Sequence, residues 1–144
     1  MSQSRLPLHL IGGNMPYSLS TRNRVNDLVH GKTAFTLPQA FIGLSTTTPS
    51  GTDTNVTEPV GNSYARVTTT GATWTASTAG AIDSAAVITF PTATAAGWGT
   101  VSHVVAYDAL TGGTLLWWAA ITAQAVAAGV TVTIPAGSAD TLLS

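Results

Sequence analysis

Cysteine is absent from this 144-residue chain, which excludes disulfides, thiolate nucleophiles and cysteine-based metal sites. Charge is scarce as well. Only 8% of residues are Asp, Glu, Lys or Arg, against about 25% in an ordinary soluble domain. The five basic residues are Arg5, Arg22, Arg24, Lys32 and Arg66, and no Lys or Arg follows Arg66. Binding to nucleic acid through its phosphates needs a basic stripe, and none exists here. No stretch approaches the roughly 20 uninterrupted apolar residues of a membrane span. Leu6 to Ile11 is apolar but short, broken by Pro7 and His9, and ends at Gly12-Gly13; it is a poor signal peptide. These absences point to a soluble, cytoplasmically made protein with neither nucleic acid nor membrane as partner.

The chain is otherwise 44% hydrophobic with a net charge of −1 and a mean hydropathy of +0.30. With so few ionic groups, its surface must be covered with hydroxyls or buried against other protein. Threonine and alanine dominate from Thr46 onward, so both hold. The length suits one domain. Residues 1–17 carry Pro7, Gly12, Gly13 and Pro16 without periodicity and read as an extended N-terminal arm. Residues 18–144 read as a single domain. Its one helix candidate is Ser18–His30, capped by Ser18 or Ser20, stopped at Gly31, with Leu19, Val25, Leu28 and Val29 near one face. From Gln39 the pattern is β. Strands are expected over Ala40–Thr46, Tyr64–Thr70, Ala72–Ser77, Ala85–Phe90 (ended by Pro91), Thr100–Asp108, Thr114–Ile121 and Val130–Ile134. Short strands punctuated by Gly, Pro and Asp argue a mainly-β, jelly-roll-like antiparallel β-sandwich with an extended N-terminal arm and one short helix.

No catalytic constellation emerges. There is no G-x-S-x-G elbow, and His103 and Asp108 are poorly placed for a dyad. On a strand, His103 shares the face of Val101, Val105 and Tyr107, whereas Asp108 enters a turn; a packed or interface histidine is the better reading. His9, His30 and His103 lack metal-ligand spacing. Asp53 and Glu58 lie in the polar loop Thr47–Ser63 without a partner acid at fixed spacing. Gly12-Gly13 lacks the Lys-Ser/Thr of a phosphate loop. Asn55–Thr57 matches a glycosylation sequon, a chance match in a chain without a secretory signal. No catalytic, cofactor-binding or metal-binding residue is assigned, and no cofactor is expected. Trp74, Trp98, Trp117, Trp118, Tyr64 and Tyr107 can fill a sandwich core or, in a carbohydrate-binding module, stack on a sugar.

One strand poses a question. Leu115, Leu116, Trp117 and Trp118 put bulky groups on both faces, since adjacent strand residues point oppositely. Trp117, with Leu115, Ala119 and Ile121, is expected inward. Trp118 is expected outward, against the helix or a symmetry-related subunit.

The order of these segments carries a resemblance. A helix is followed by "FIGLSTTTP" (Phe41–Pro49), a loop with Glu58, and "YARV" (Tyr64–Val67). Then come "AAVITFPTATAAGWGTVSHVVAYDALTGGTLLWWAAI" (Ala85–Ile121) and "AAGVTVTIPAGSADTLLS" (Ala127–Ser144). Over roughly Leu19 to Ser144 this resembles small tailed-bacteriophage virion proteins of the jelly-roll capsid cement or decoration type, often labelled tail-fibre-like. The resemblance implies a structural virion protein without catalysis, made in the host cytoplasm. A short chain without coiled coil or fibre repeat leans toward the capsid surface. There it would bind and stabilise the major capsid protein shell as a homo-oligomer, dimer or trimer. A tail-associated structural or receptor-binding protein is the first alternative and a carbohydrate-binding module the second. The candidate interface residues are Leu8, Leu10 and Ile11 on the arm, with Arg66 and Trp118. Arg66 shares a strand face with Tyr64 and can pair with a carboxylate or stack on an aromatic ring.

Overall fold

The computed structural model describes residues 4–9, 17–34, 39–50, 52–139 and 141–142. In chain order the elements are β1 (Arg5–Pro7), α1 (Leu19–Val29), β2 (Phe41–Ser45), β3 (Val67–Thr68), β4 (Ala81–Ile82), β5 (Ile88–Thr92), β6 (Gly99–Tyr107), β7 (Leu115–Val126), β8 (Thr131–Ile134) and β9 (Thr141–Leu142). One sheet has the order β1-β8-β5, a second β3-β2-β6-β7, and β4 pairs with β9. The chain is thus a mainly-β sandwich, as its strand pattern leads one to expect.

Alternation builds the core. Ile88 and Phe90 of β5 with Val132 and Ile134 of β8 face Ile42 and Leu44 of β2, Val101, Val104 and Ala106 of β6, and Ala119 and Ile121 of β7, all in one buried cluster. Each fully buried aliphatic or Phe side chain contributes about 1.5–3 kcal/mol relative to an exposed one. Two irregularities in the β6–β7 register decide which residues join this cluster. Val101 pairs with Gln124 but His103 with Ala120, and Ala106 pairs with Trp117 but Tyr107 with Leu115. The first shift separates Val101, which faces the core, from His103, which does not; their expected shared face is lost at Ser102. The second shift makes Leu116 the extra residue of a bulge. Leu116 and Trp117 both enter the core cluster, and Leu115 is left out of it with Tyr107, opposite to the expected alternation.

Four further expectations change. The arm does not stand wholly apart: Arg5–Pro7 pair in parallel with Thr131–Thr133 of β8, and Leu8 donates its N–H to Thr133 O at 2.9 Å. Ala72–Ser77 is not a strand. Gly71–Thr73 form a 3₁₀ turn under a Thr70 cap, and Trp74 makes only an isolated bridge to Ser84. Pro91 does not end β5, which runs to Thr92 across a register shift. Proline is tolerated there because β5 is an edge strand and the missing N–H is not needed. Finally, α1 begins at its expected cap, Ser18, whose hydroxyl accepts from Thr21 N at 3.0 Å, and ends before Gly31, at φ +67°. Its expected apolar face is not its docking face. Leu19, Leu28 and Val29 are exposed, and Thr21 is the buried residue.

Polar contacts hold α1 instead. The Asp53 carboxylate accepts from Leu19 N at 2.7 Å and Ser20 N at 2.8 Å, and from the Ser20 hydroxyl at 2.6 Å. It thereby satisfies first-turn donors that no helix can satisfy internally. Arg24 pairs with Asp108 at 3.2 Å and donates to Thr114 Oγ1 at 3.3 Å. Ser18 N bonds Leu116 O at 2.8 Å, which ties the helix entry to β7.

Candidate interface site around Arg66

The polar loop after β2 folds back over the outer face of the second sheet, and Gly43 makes that approach possible. A Cβ at Gly43 would lie 2.6 Å from Glu58 Oε1 and 2.9 Å from the Tyr64 hydroxyl. The absence of a side chain on β2 therefore lets a carboxylate and a phenol rest against the strand. Tyr64 donates to Glu58 Oε1 at 2.7 Å and accepts from Leu44 N at 2.8 Å. Burial chiefly, and the Glu58 charge next, push the phenol far above its ordinary range, so it stays protonated.

Arg66, two residues on, completes the cluster. Its Nε and Nη2 grip Glu58, with Nε–Oε1 at 3.0 Å. Its Nη1 donates to Ala109 O at 2.8 Å and Gly112 O at 2.7 Å. Its guanidinium carbon lies 3.6 Å above the Tyr107 ring centroid. The side chain is 7% exposed. Burial opposes its charge, but the Glu58 hydrogen bonds and charge outweigh this and raise its pKa further. One arginine thus ties the loop after β2 to the β6–β7 turn, using both a fork-like carboxylate contact and ring stacking. The sequence expectation gave either a carboxylate or an aromatic ring; the structure uses both.

The same turn is braced from the helix side. Burial works against ionisation of Asp108, but Thr114 N–H at 2.6 Å and Arg24 prevail and hold the carboxyl below its usual range. Above Arg66 lies an open cavity of about 430 Å³ lined by Pro59, Val60, Leu110, Thr111 and Gly112 among others. Val60 is 91% exposed and Leu110 50%. Val60 is not on a loose tip. Gly61, Asn62 and Ser63 all have positive φ. Asn62 is clamped by its own amide to Gly97 O at 2.7 Å and by Trp98 Nε1 to its carbonyl at 2.9 Å.

The other expected interface residues scatter. Leu8, placed on a docking arm by the sequence, is 1% exposed and belongs to this chain's own core, because the arm strand β1 carries it between the sheets. Leu10 and Ile11 lie outside the described residues. Trp117 is inward at 6% exposure, edge-on to Trp74. Trp118 is half-buried and stacks edge-on against His103 at 5.8 Å. With Leu115 and Leu116 also buried, the bulky run Leu115–Trp118 is covered largely from within the chain, and of these four only Trp118 keeps part of its surface.

Chemically, the cluster consumes its own functional groups. Glu58 and Arg66 saturate each other, Asp53 caps a helix, and Asp108 is bound by Thr114 and Arg24. His103 meets Ser102 Oγ at 2.9 Å rather than Asp108, and burial lowers its pKa. The Asn55 amide donates to Thr48 O at 2.8 Å, which occupies the nitrogen of the sequon. Trp98 and Trp117 are buried and Trp74 and Trp118 half-buried. Among the described residues no three His, Asp or Glu side chains gather as metal ligands, and no helix is long and apolar enough to cross a membrane. Asp53 is the role that the sequence reading missed. Its only signal was a lone acid in a Ser/Thr loop, and the helix it caps lies 33 residues away.

The family described as Podophage GP4 fiber I protein gp80 matches residues 16–141. That span is most of the chain, and the chain belongs to this family. Among curated proteins none matches.

Proposed function

We propose that this member of the podophage fibre protein family is a non-enzymatic joining module of the fibre apparatus, which works by binding other virion proteins. One observation carries the reading. Every acid and base of the Arg66 site is spent inside the chain, whereas the apolar Val60 and Leu110 above it are left uncovered. A catalytic site needs free groups poised for reaction; an interface needs a fixed apolar core within a polar rim. The family membership supports a structural virion role.

A second reading is the capsid cement protein, a clip that stabilises the major capsid protein shell. The sparse charge and hydroxyl-rich surface favour it, because such a surface suits a subunit packed among many copies. Copy number and position separate the two. Virions carrying a labelled version of this chain are imaged by cryo-electron microscopy, and the chain is quantified against the major capsid protein. Label at the fibres in low copy supports the fibre module. Label over the shell near parity with the capsid protein replaces it with the cement reading. Absence from purified virions refutes both.

A further inference from the structure

The outer face of α1 carries a row of exposed side chains. Leu19, Arg22, Asn26 and Val29 follow one another at gaps of three, four and three residues, the spacing that sets side chains in one row along a helix. All four are exposed, Val29 at 74% and Leu19 at 39%. The opposite side of the helix does the docking, through buried Thr21 and through Arg24 on Asp108. An apolar residue thus stands at each end of the row, with a cation and an amide between them. We propose that this row packs against an amphipathic helix of a different protein, which carries a carboxylate opposite Arg22 and apolar side chains opposite Leu19 and Val29.

Three observations select that partner. The first is charge complementarity. Among the described residues the ion pairs are Arg24–Asp108 and Arg66–Glu58, so the Arg22 charge is unspent, and exposed Lys32 just past the helix adds a second cation. Asp27, the one acid of the helix, is off the row. A second copy of the chain brings another Arg22 and no acid, whereas a partner with a carboxylate supplies the counter-charge. The second is the placing of Arg22 within α1. It lies near the N-terminal end, where the helix dipole disfavours a cation and favours an acid, and the first turn has no acid. Local helix stability does not account for Arg22; a partner's carboxylate does. The third is preorganisation. The Asp53 contacts to Leu19 and Ser20 and the Ser18–Leu116 bond fix the helix entry, and Arg24 fixes its middle. The row is therefore held in place before contact, which lowers the ordering cost of association. The inference concerns α1 rather than the Val60 face and holds whichever part of the virion the chain occupies.

The test uses intact virions. A photo-crosslinking amino acid replaces Val29 and, as control, Val87, another exposed apolar side chain (56% exposed), and the linked peptides are identified by mass spectrometry. The expected result is a link from position 29 to an acid-bearing helical segment of one other protein, not formed from position 87. Arg22→Glu should cut its yield at least about tenfold, the effect of reversing one charge of a close pair, while Arg22→Lys keeps most of it. Because an acid near the start of a helix is stabilising, the melting temperature of Arg22→Glu should hold within a degree or two. If it falls, Arg22→Gln takes its place, with a smaller loss of yield expected and an unchanged yield overturning the proposal. A link to a second copy of this chain, a link to a segment without acids, the same link formed equally from position 87, no link at all, or a yield indifferent to Arg22→Glu each overturns it.

Discussion

On the inner face of β6 and β7, Val104, Ala106, Trp117, Ala119 and Ile121 join a continuous apolar cluster. On the outer face, Val105 and Leu115 are as deeply buried, yet the groups brought over that face are polar: Glu58 and Tyr64 at Gly43, and Arg66 on Tyr107. The two faces of one strand pair are covered by different physics. The inner cover is non-directional and tolerates any close-packed shape. The outer cover is directional, because each polar group must find its partner or destabilise the fold. The chain leaves no buried side-chain nitrogen or oxygen without a partner among the described residues, so the polar groups of the outer cover are all paired.

Truncation of the two tryptophans breaks this comparison most sharply. Trp117→Ala removes a core ring and should cost about 3–5 kcal/mol, read by chemical denaturation. Trp118→Ala should cost less than half as much, because its ring is only half-buried. Equal losses would mean that the outer face is packed as tightly as the inner.

The next effect tests whether the outer cover is directional. Arg66→Lys keeps the charge but loses the fork to Glu58 and the two carbonyl contacts. Breaking one side of a fully buried pair costs about 3–5 kcal/mol. Here Glu58 is 21% exposed, so a loss of about 2–3 kcal/mol is expected on that same scale. A melting temperature unchanged by Arg66→Lys would reduce the network to a simple charge contact.

Arg24→Ala sharpens the contrast from the other side. Its pair with Asp108 is more exposed, at 38% for Arg24, and pairs of that kind contribute about 0.2–1 kcal/mol. Denaturation midpoints of Arg24→Ala and Arg66→Ala measured together should therefore differ clearly. The smallest effect is a pH dependence. Burial lowers the His103 pKa from 6.5, so the folded state binds fewer protons than the unfolded one just below that value. The His103 contribution is present in full above pH 6.5 and is lost as pH falls from there through the depressed folded value. His103→Gln should flatten the melting temperature between pH 7 and 5; an unchanged slope would exclude His103 as its source.

Much of the fold was legible in the residues. The Ser18 cap, the Gly31 stop and the strands β2, β6 and β8 needed only local chemistry: a hydroxyl for free N–H groups, a glycine for positive φ, and apolar runs bounded by turn residues for strands. The inward Trp117 was also readable, whereas the strand face expected for Tyr64 and Arg66 does not form, since β3 is only Val67–Thr68; the two side chains meet at Glu58 instead. The partner of Arg66 was not readable, because an arginine does not specify which of several distant acids it meets. Nor was the exchange of Leu115 for Leu116, since a bulge is set by how two strands register and leaves no mark on either alone. The arm misled for a related reason. Its prolines and glycines describe a chain without internal periodicity, and a strand of three residues shows its pairing only when β8 lies beside it.

The sequence by itself determined that this is a low-charge, cysteine-free, mainly-β chain with one capped helix, because those properties follow from composition and from interactions within a few residues. Only the tertiary structure decided that Asp53 caps a helix 33 residues before it, that Leu8 is core, and that Arg66 gathers Glu58, Tyr107 and the β6–β7 turn beneath an uncovered Val60. Those are contacts between segments far apart in the chain. Their energies depend on burial and on exact partner geometry, and both exist only once the two sheets have closed on each other.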